Sequence, residues 1–363
     1  MPAPARILAF DILQKVEAGG YASDLLLERS VGLDPRDAGL ASEIVFGVLR
    51  YRAQLDYLIG HYSGRPRQLD REVRTALRMG IYQLRYLDRI PPHAAVTDSV
   101  DLVKRARKRS AAPLVNAVLR QVDRDPVEWP SREVELSCPE WLLARWELHY
   151  GAAPAAAIAR AALIPPEMYV RNGRIQDIGS QSIVPLLQLE RGQTFLDLCA
   201  APGNKTAQAL EAGVRAIACD LHYRRLAPLK DLGAELLVVD GTRPLPFARA
   251  FDRGVFDRIL VDAPCSGTGT LGRNPEIKWK LTAGDLADLR RRQSALLANA
   301  RAVLAPGGLL VYATCSLEPE ENEEAIAAVP PGLVVETMRR LPGRDAGDGF
   351  YAAVIKSDKP AND

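Results

Sequence analysis

The sequence predicts two fold classes in one chain: an all-α N-terminal part, then an α/β part built on a doubly wound, mostly parallel sheet. Three observations carry this. Apolar residues recur at helical spacing through the first 128 residues. From residue 179 onward, short apolar runs alternate with helix-length stretches, the pattern of parallel strands joined by crossover helices. Several of those runs end on an aspartate or a cysteine, and the first opens into the small-residue turn CAAPGNK at residues 199–205. A chain of 363 residues is also too long for one small core.

In the N-terminal part, Leu8, Ile12, Leu13 and Val16 mark a first helix. Ile44, Val48, Leu49, Leu55, Tyr57, Leu58 and Ile59 mark two more. Val73, Leu77, Ile81, Leu84 and Leu87 form a further stripe, ended by Pro91 and Pro92. Val96, Val100 and Val103 lead into a basic run at residues 104–109, and Leu114, Val115, Val118 and Leu119 close the set. A second basic concentration comprises Arg50, Arg52, Arg65, Arg67, Arg71, Arg74 and Arg78. Together these favour contact with nucleic-acid phosphates, although a basic run is more commonly a solvated helix end.

Residues 129–178 read as a connector punctuated by Pro130, Pro139, Pro154, Pro165 and Pro166. Trp141, Trp146 and Tyr150 suggest one short amphipathic helix there, and residues 152–162 are alanine-rich and helix-prone. Beyond it, strands are expected at residues 195–199, 214–219, 236–239, 258–261 and 309–314. Helices are expected at 221–231 and 283–304, a sharp turn at 306–308, and closing edge strands at 333–335 and 350–356.

Composition narrows the function. Apolar content of 47% and charged content of 25% are ordinary for a globular chain, and no run is long and apolar enough to span a bilayer. The N-terminal residues carry Asp11 and Glu17 in a helical pattern, unlike a signal peptide. The five cysteines (Cys138, Cys199, Cys219, Cys265 and Cys315) include no CxxC pair, so neither a disulfide framework nor a metal site is expected. The four histidines are scattered too, and a reducing, cytoplasmic setting fits. A net charge of +2 means that any nucleic-acid surface must come from local clustering.

The polar residues of the second part fall at strand ends, where open α/β sheets bind nucleotide-like ligands. Asp220 lies about twenty residues past the turn, where a carboxylate can accept from both hydroxyls of a ribose. Asp240, after the third strand, is placed to meet an adenine edge. Each also has a plain alternative as a cap.

DLCAAPGNKT (residues 197–206), DAPCSGTGT (262–270), RNPEIKW (273–279), YATCSLEPEEN (312–322) and GDGFYAAVIK (347–356) resemble the Sun/Fmu family of RNA cytosine-5 methyltransferases. PPHAAVTDSVDLVKR and LVNAVLRQV resemble the NusB-like RNA-binding domain of its bacterial 16S ribosomal RNA branch. The resemblance covers nearly the whole chain, with two departures. Asn204 stands where the family usually has glycine, and asparagine tolerates left-handed backbone better than most residues. The family's small RNA-binding α+β subdomain is largely missing, since residues 169–172 run almost directly into the first α/β elements.

The resemblance implies a NusB-like helical domain at residues 1–128, a connector with a reduced RNA-binding subdomain at 129–178, and a Rossmann-like methyltransferase domain at 179–363. It implies S-adenosyl-L-methionine as cofactor, held by Cys199, Ala200, Ala201, Pro202, Gly203, Asn204, Lys205, Asp220, Asp240 and Asp262, and RNA as partner for a monomer with no membrane attachment. Cytosine C5 is a poor nucleophile until a thiolate adds to C6. In the resembling RNA family the Thr-Cys position, here Cys315, is that nucleophile, and the Pro-Cys position, here Cys265, helps release product. DNA cytosine methyltransferases use the Pro-Cys position instead, so both cysteines together favour RNA. Another RNA such as tRNA, or a non-catalytic RNA-binding factor, remains open. An adenine N6 enzyme would want a second proline and an aromatic after Asp262.

Overall fold

The computed structural model describes residues 2–64, 68–247 and 255–359. By contact the chain divides into two units, Met1–Pro165 with Leu271–Lys280, and Pro166–Thr270 with Leu281–Asp363.

The first unit is helical. Pro4–Glu17, Pro35–Arg50 and Pro92–Arg105 each open on a proline, whose fixed φ suits a first helical turn and whose missing N–H has no partner to lose there. Asp34 caps the second of these by accepting from the Arg36 N–H. Arg71–Tyr86 is buried along most of its length and packs Val73, Leu77, Met79 and Ile81 into a core shared with Ile12, Ile44, Leu55, Leu58 and Val115. The expected boundary at residue 128 is not the one the contacts draw. Glu140–Tyr150 buries Leu142, Leu143 and Trp146, and the stretch before it is tied to Arg52–Ser63 by Ala53 N–H to Ser137 Oγ (3.0 Å) and Gln54 Nε2 to the Glu135 carbonyl (2.6 Å).

Several arginines expected to face phosphate are spent inside this unit. Arg78, 4% exposed, pairs with Asp56 and Glu17, and Arg50, also 4% exposed, donates to the Gly272 carbonyl. In the basic run, Lys104, Arg105 and Lys108 pair with Asp101, Asp11 and Asp70. Arg65 and Arg67 lie outside the described residues.

The segment Leu271–Lys280 completes the helical unit from far along the chain. The last carbonyls of a helix have no intrahelical partner. Those of Leu49 and Arg50, ending Pro35–Arg50, accept from Trp279 Nε1 (2.8 Å) and Lys278 Nζ (2.9 Å). Lys280 Nζ reaches the Gly19 carbonyl (3.2 Å) and that of Gly20, just past Pro4–Glu17.

The second unit holds strands β1 (Val170–Arg171), β2 (Arg174–Ile175), β3 (Thr194–Asp197), β4 (Arg215–Asp220), β5 (Glu235–Val238), β6 (Phe256–Asp262), β7 (Leu304–Thr314), β8 (Val334–Arg340) and β9 (Phe350–Lys356). β1 and β2 form a separate hairpin, and the rest make one sheet in the order β5-β4-β3-β6-β7-β9-β8. β3 to β7 pair in parallel, and β8 and β9 are antiparallel. Alternate residues sort to two cores, as strands covered on both faces require. Leu196, Ile259, Val261, Leu310 and Tyr312 meet the helix Ala283–Ala302 through Leu296, Leu297 and Ala300. Phe195, Leu260, Val311, Ala313 and Ala352 meet Ile183, Leu187 and Ala209 on the other face.

Three expected elements differ. β9 is interior rather than an edge, because its buried residues pair with both β7 and β8. Residues 306–308 lie within β7, where pairing with β6 shifts register from Phe256↔Leu304 to Arg258↔Leu309. The helix expected at 221–231 is one α-turn, Tyr223–Leu226, followed by the 3-10 turn Ala227–Leu229, since Pro228 has no N–H to continue an α-ladder.

Lys278 gives a test of the inserted segment. It is 1% exposed, and burial drops its pKa to about 8, although Cys138 opposes the shift. Above pH 8 the unfolded chain therefore keeps a proton that the folded chain has lost, until the ordinary lysine range. Stability should rise with pH across that window by about 1.4 kcal/mol per unit. Thermal melts of wild type and Lys278→Met between pH 7.5 and 10.5 should show the rise in wild type alone.

Candidate active site

β3 and β6 are neighbours in the sheet although their connections leave in opposite directions, with β4 and β5 on one side and β7 on the other. A crevice opens beyond the carboxyl ends of strands at such a reversal. A cleft of about 410 Å³ sits there, lined by Cys199, Ala201, Asp220, Asp240, Asp262, Cys265 and Cys315 among others. The structure thus gathers both candidate cysteines, all three strand-end aspartates and the turn.

The turn is set by Gly203, whose φ of +101° is left-handed and whose Cβ, if present, would lie 2.7 Å from Leu229 Cγ. Asn204 does not need the left-handed tolerance expected of it. It opens the helix Asn204–Leu210, and its Nδ2 donates to the Ile175 carbonyl at 2.9 Å. Within that helix Lys205 points back to Asp262 at the end of β6, Nζ to Oδ2 2.6 Å, and lies 5.3 Å from the Phe350 ring centre. Burial pushes the Lys205 pKa down, but the Asp262 charge and hydrogen bond, with Cys315 and Asp197 adding, leave it raised. The side chain is held as an ammonium.

Asp197, inside β3, was not among the expected site residues. Its Oδ2 accepts from Thr206 Oγ1 (2.7 Å), while among the described residues buried Oδ1 has no hydrogen-bond donor of good geometry. Burial lifts it to about 7, against the Thr206 hydrogen bond. A carboxylate in an apolar strand was the available signal.

Asp220 is 5% exposed. Its Oδ1 accepts from the His222 N–H (3.0 Å), and Oδ2 has Arg225 at 3.5 Å. Asp240 is more exposed and folds back on its own loop, where Oδ1 accepts from the Thr242 N–H (3.0 Å) and hydroxyl (2.6 Å); the hydroxyl bond first, then the backbone bond, hold its pKa low. Ala200 is buried beside Ala218 and Leu229, so its side chain packs away from the cleft. Pro202 follows a cis peptide bond in the turn.

Cys265, just past β6, and Cys315, just past β7, stand with sulfurs 3.3 Å apart. The hydrogen bond with Cys315 is the first cause lifting the Cys265 pKa well above the thiol range, and burial the second. Cys199 and Cys219 pack in the core of the same unit, and burial pushes Cys219 up to about 12.

The loops carrying the two cysteines are joined by Glu321, which is fully buried. Oε1 accepts from the Ser266 N–H (2.7 Å) and Gln293 Nε2 (2.9 Å), and Oε2 from the hydroxyls of Ser266 and Ser316. Gly269 closes the arrangement: its N–H donates to the Cys315 carbonyl (2.9 Å), and a Cβ there would lie 2.4 Å from the Gly349 carbonyl oxygen. The sequence named the Glu321 motif but not this role.

The chain matches the NusB family over residues 3–124 and the 16S rRNA methyltransferase RsmB/F family over residues 184–330. It is 34% identical to the ribosomal RNA small subunit methyltransferase B of Citrobacter koseri, over 94% of this chain and 96% of that one. The like-named protein of Sodalis glossinidius is 33% identical over 96% and 97%. The chain belongs to the RsmB/F family of ribosomal RNA methyltransferases. RsmB/F proteins are S-adenosyl-L-methionine-dependent methyltransferases. The alignment to the Citrobacter protein runs over 415 positions, more than this chain has residues. The fold is also that of the crystal structure of PH0851, with a TM-score of 0.75 at 20% identity over 98% of this chain and 100% of that one. Among the described residues no helix is long and apolar enough to cross a membrane, and no His/Cys/Asp/Glu group could hold a metal.

Glu321→Ala should leave one buried N–H and two buried hydroxyls short of an acceptor. At about 1–3 kcal/mol per unmet group, the melting temperature should fall clearly. A Glu321→Ala protein as stable as wild type by calorimetry would refute the role assigned to this carboxylate.

Proposed function

We propose that the chain transfers a methyl group from S-adenosyl-L-methionine to C5 of a cytosine in 16S ribosomal RNA, through a covalent bond between Cys315 and C6. The observation that carries this reading is the pair of sulfurs 3.3 Å apart at the mouths of adjacent strands, in a cleft that also holds three carboxylates.

The cleft fits the cofactor. Its volume of about 410 Å³ lies within the roughly 300–1,000 Å³ usual for small-molecule sites. Asp220 would accept from the ribose hydroxyls, and the carboxylates suit a cationic ligand. The cofactor, when bound, supplies an electrophilic methyl group.

The chain's own residues account for the other steps. The Cys315 thiolate adds to C6, which makes C5 enamine-like and able to take the methyl group. Lys205, held as an ammonium against Asp262, supplies a fixed positive charge beside the electron-rich adduct. A base then removes the C5 proton, its electron pair reforms the C5–C6 double bond, and the C6–S bond breaks toward Cys315. Cys265, kept as a thiol, donates to that departing sulfur. RNA contact falls to the NusB-like helices, through the basic side chains not spent on internal pairs.

Asp220→Ala should lose about 1.5–3 kcal/mol of cofactor affinity, the usual worth of hydrogen bonds to a charged group. Unchanged affinity by calorimetry would remove Asp220 from the ribose site. The cysteine variants test the chemistry. Cys315→Ala should bind RNA and cofactor but neither form an adduct nor methylate. Cys265→Ala should methylate and then remain attached to RNA on a denaturing gel. An adduct only in Cys315→Ala would exchange the two roles, and activity in both variants without adducts would end the covalent mechanism. Mapping 5-methylcytosine in 16S ribosomal RNA with and without the protein tests the substrate.

A further inference from the structure

The helical unit contains a cavity of about 220 Å³ that the methyl-transfer chemistry leaves unused. Its apolar wall includes Leu13 and Val48, and its polar lining includes Glu17, Arg52, Arg78, Glu276 and Lys280, with Trp279 beside them. Glu276, Trp279 and Lys280 come from the RNPEIKWK stretch, which is anchored to helix-end carbonyls.

Most of the lining charge is already committed. Arg78 is paired with Glu17 and Asp56, and Lys280 is bound to the Gly19 and Gly20 carbonyls and lies 4.4 Å from the Tyr21 ring centre. Two groups are not. Glu276 is 1% exposed; its Oε1 accepts from the Ala22 N–H at 2.8 Å, and its buried Oε2 has no hydrogen-bond partner among the described residues. Arg52 sits with its guanidinium 5.2 Å from the Trp279 ring centre and makes no hydrogen bond or ion pair among the described residues. Leaving a carboxylate oxygen and a guanidinium without partners in such a place is costly.

The charge pattern selects the occupant's chemistry. An anion would meet Glu17 and Glu276, and a cation would meet Arg52, Arg78 and Lys280. A purely apolar molecule would satisfy neither open group. What remains is a neutral, planar group carrying acceptors on one edge and donors on another. Among nucleobases guanine answers both demands: adjacent O6 and N7 match a guanidinium fork, and N1–H and the 2-amino group face a carboxylate oxygen.

We propose that this cavity is a guanine-binding site, with Arg52 donating to O6 and N7 and Glu276 Oε2 accepting from the N1–H edge. The base can arrive within RNA or as a free nucleoside, and the recognition chemistry is the same.

The test uses the full-length protein and equilibrium dialysis against guanosine, adenosine, cytidine and uridine. In parallel, single-stranded oligoribonucleotides with one guanine or one adenine at the centre are titrated. Wild type should prefer guanosine, or the guanine oligonucleotide, by at least tenfold. Preference in the oligonucleotide alone assigns the site to RNA, and preference in the free nucleoside as well assigns it to the base itself. Glu276→Gln keeps an oxygen for the Ala22 N–H but turns the open acceptor into an amide donor, so it should abolish the preference. Arg52→Gln should do the same, and it serves if Glu276→Gln fails to fold by near-UV circular dichroism. Cofactor binding measured on the same samples should be unchanged, which separates this site from the cleft. Equal binding of all four bases, no preference in either arm, or a guanine preference that survives both substitutions would overturn the proposal.

Discussion

Glu321 is buried with no access to water, and the geometry of the cleft depends on its staying there. Removing a carboxylate from water costs several kcal/mol unless donors replace the lost hydration. Four do so here: a backbone N–H, an amide and two hydroxyls. Two of the four come from Ser266 and one from Ser316, the residues that directly follow Cys265 and Cys315. The carboxylate thus converts two loop ends into one rigid body. Further bonds brace it, from the Tyr312 hydroxyl to the Glu321 carbonyl (2.6 Å) and between the Thr314 hydroxyl and Asn322 Oδ1 (2.6 Å). Sulfurs placed on unbraced loops would not hold a 3.3 Å separation.

Around Asp262, charges are arranged by a different rule. Lys205 and Asp262 pair with each other, so this part of the site carries a dipole rather than a net charge. Asp197 beneath them is lifted to about 7 by burial and can stay protonated near neutrality, which spares the site a second buried anion. Asp240, the more exposed of the two remaining carboxylates, is held low by the Thr242 hydroxyl and backbone N–H, and Asp220 is buried against the His222 N–H. A small-residue turn with little side-chain bulk lets the backbone approach whatever lies between.

What was legible in the sequence was local. The strand-turn-helix at residues 194–210 and the aspartates ending β4 and β6 follow from short-range pattern, and the strands that carry them were placed to within a few residues. What depends on sheet order was less legible: Cys265 and Cys315 lie fifty positions apart, each readable as following one of two adjacent strands, but the 3.3 Å approach of their sulfurs is set by the pairing of β6 with β7. β9 read as an edge because its mates, one on each side, are set by topology. The arginines misled in a similar way. Arg50 and Arg78 look like free surface charge in sequence, but their partners are a distant carbonyl and two carboxylates on other helices. The membership of Leu271–Lys280 in the helical unit is a contact across more than two hundred positions, beyond any periodicity argument.

The hairpin of β1 and β2 and Asn204 are physically linked. The short hairpin of β1 and β2 stands where a larger subdomain was expected, and a two-stranded hairpin is marginal by itself in water. Side chains tie it down instead. Arg171 and Asn172 both bind Glu211, and Gln176 Nε2 donates to Gln208 Oε1 at 3.0 Å within the protein interior. A further tie is Asn204 Nδ2 to the Ile175 carbonyl, from the first residue of the helix that follows the cofactor turn. Glycine at that position would have no donor to offer. The backbone there is ordinary helix, so asparagine is accommodated without strain, and its side chain supplies a hydrogen bond that the reduced hairpin needs. Asn204 therefore acts as support for the hairpin, while the left-handed position of the turn is taken by Gly203.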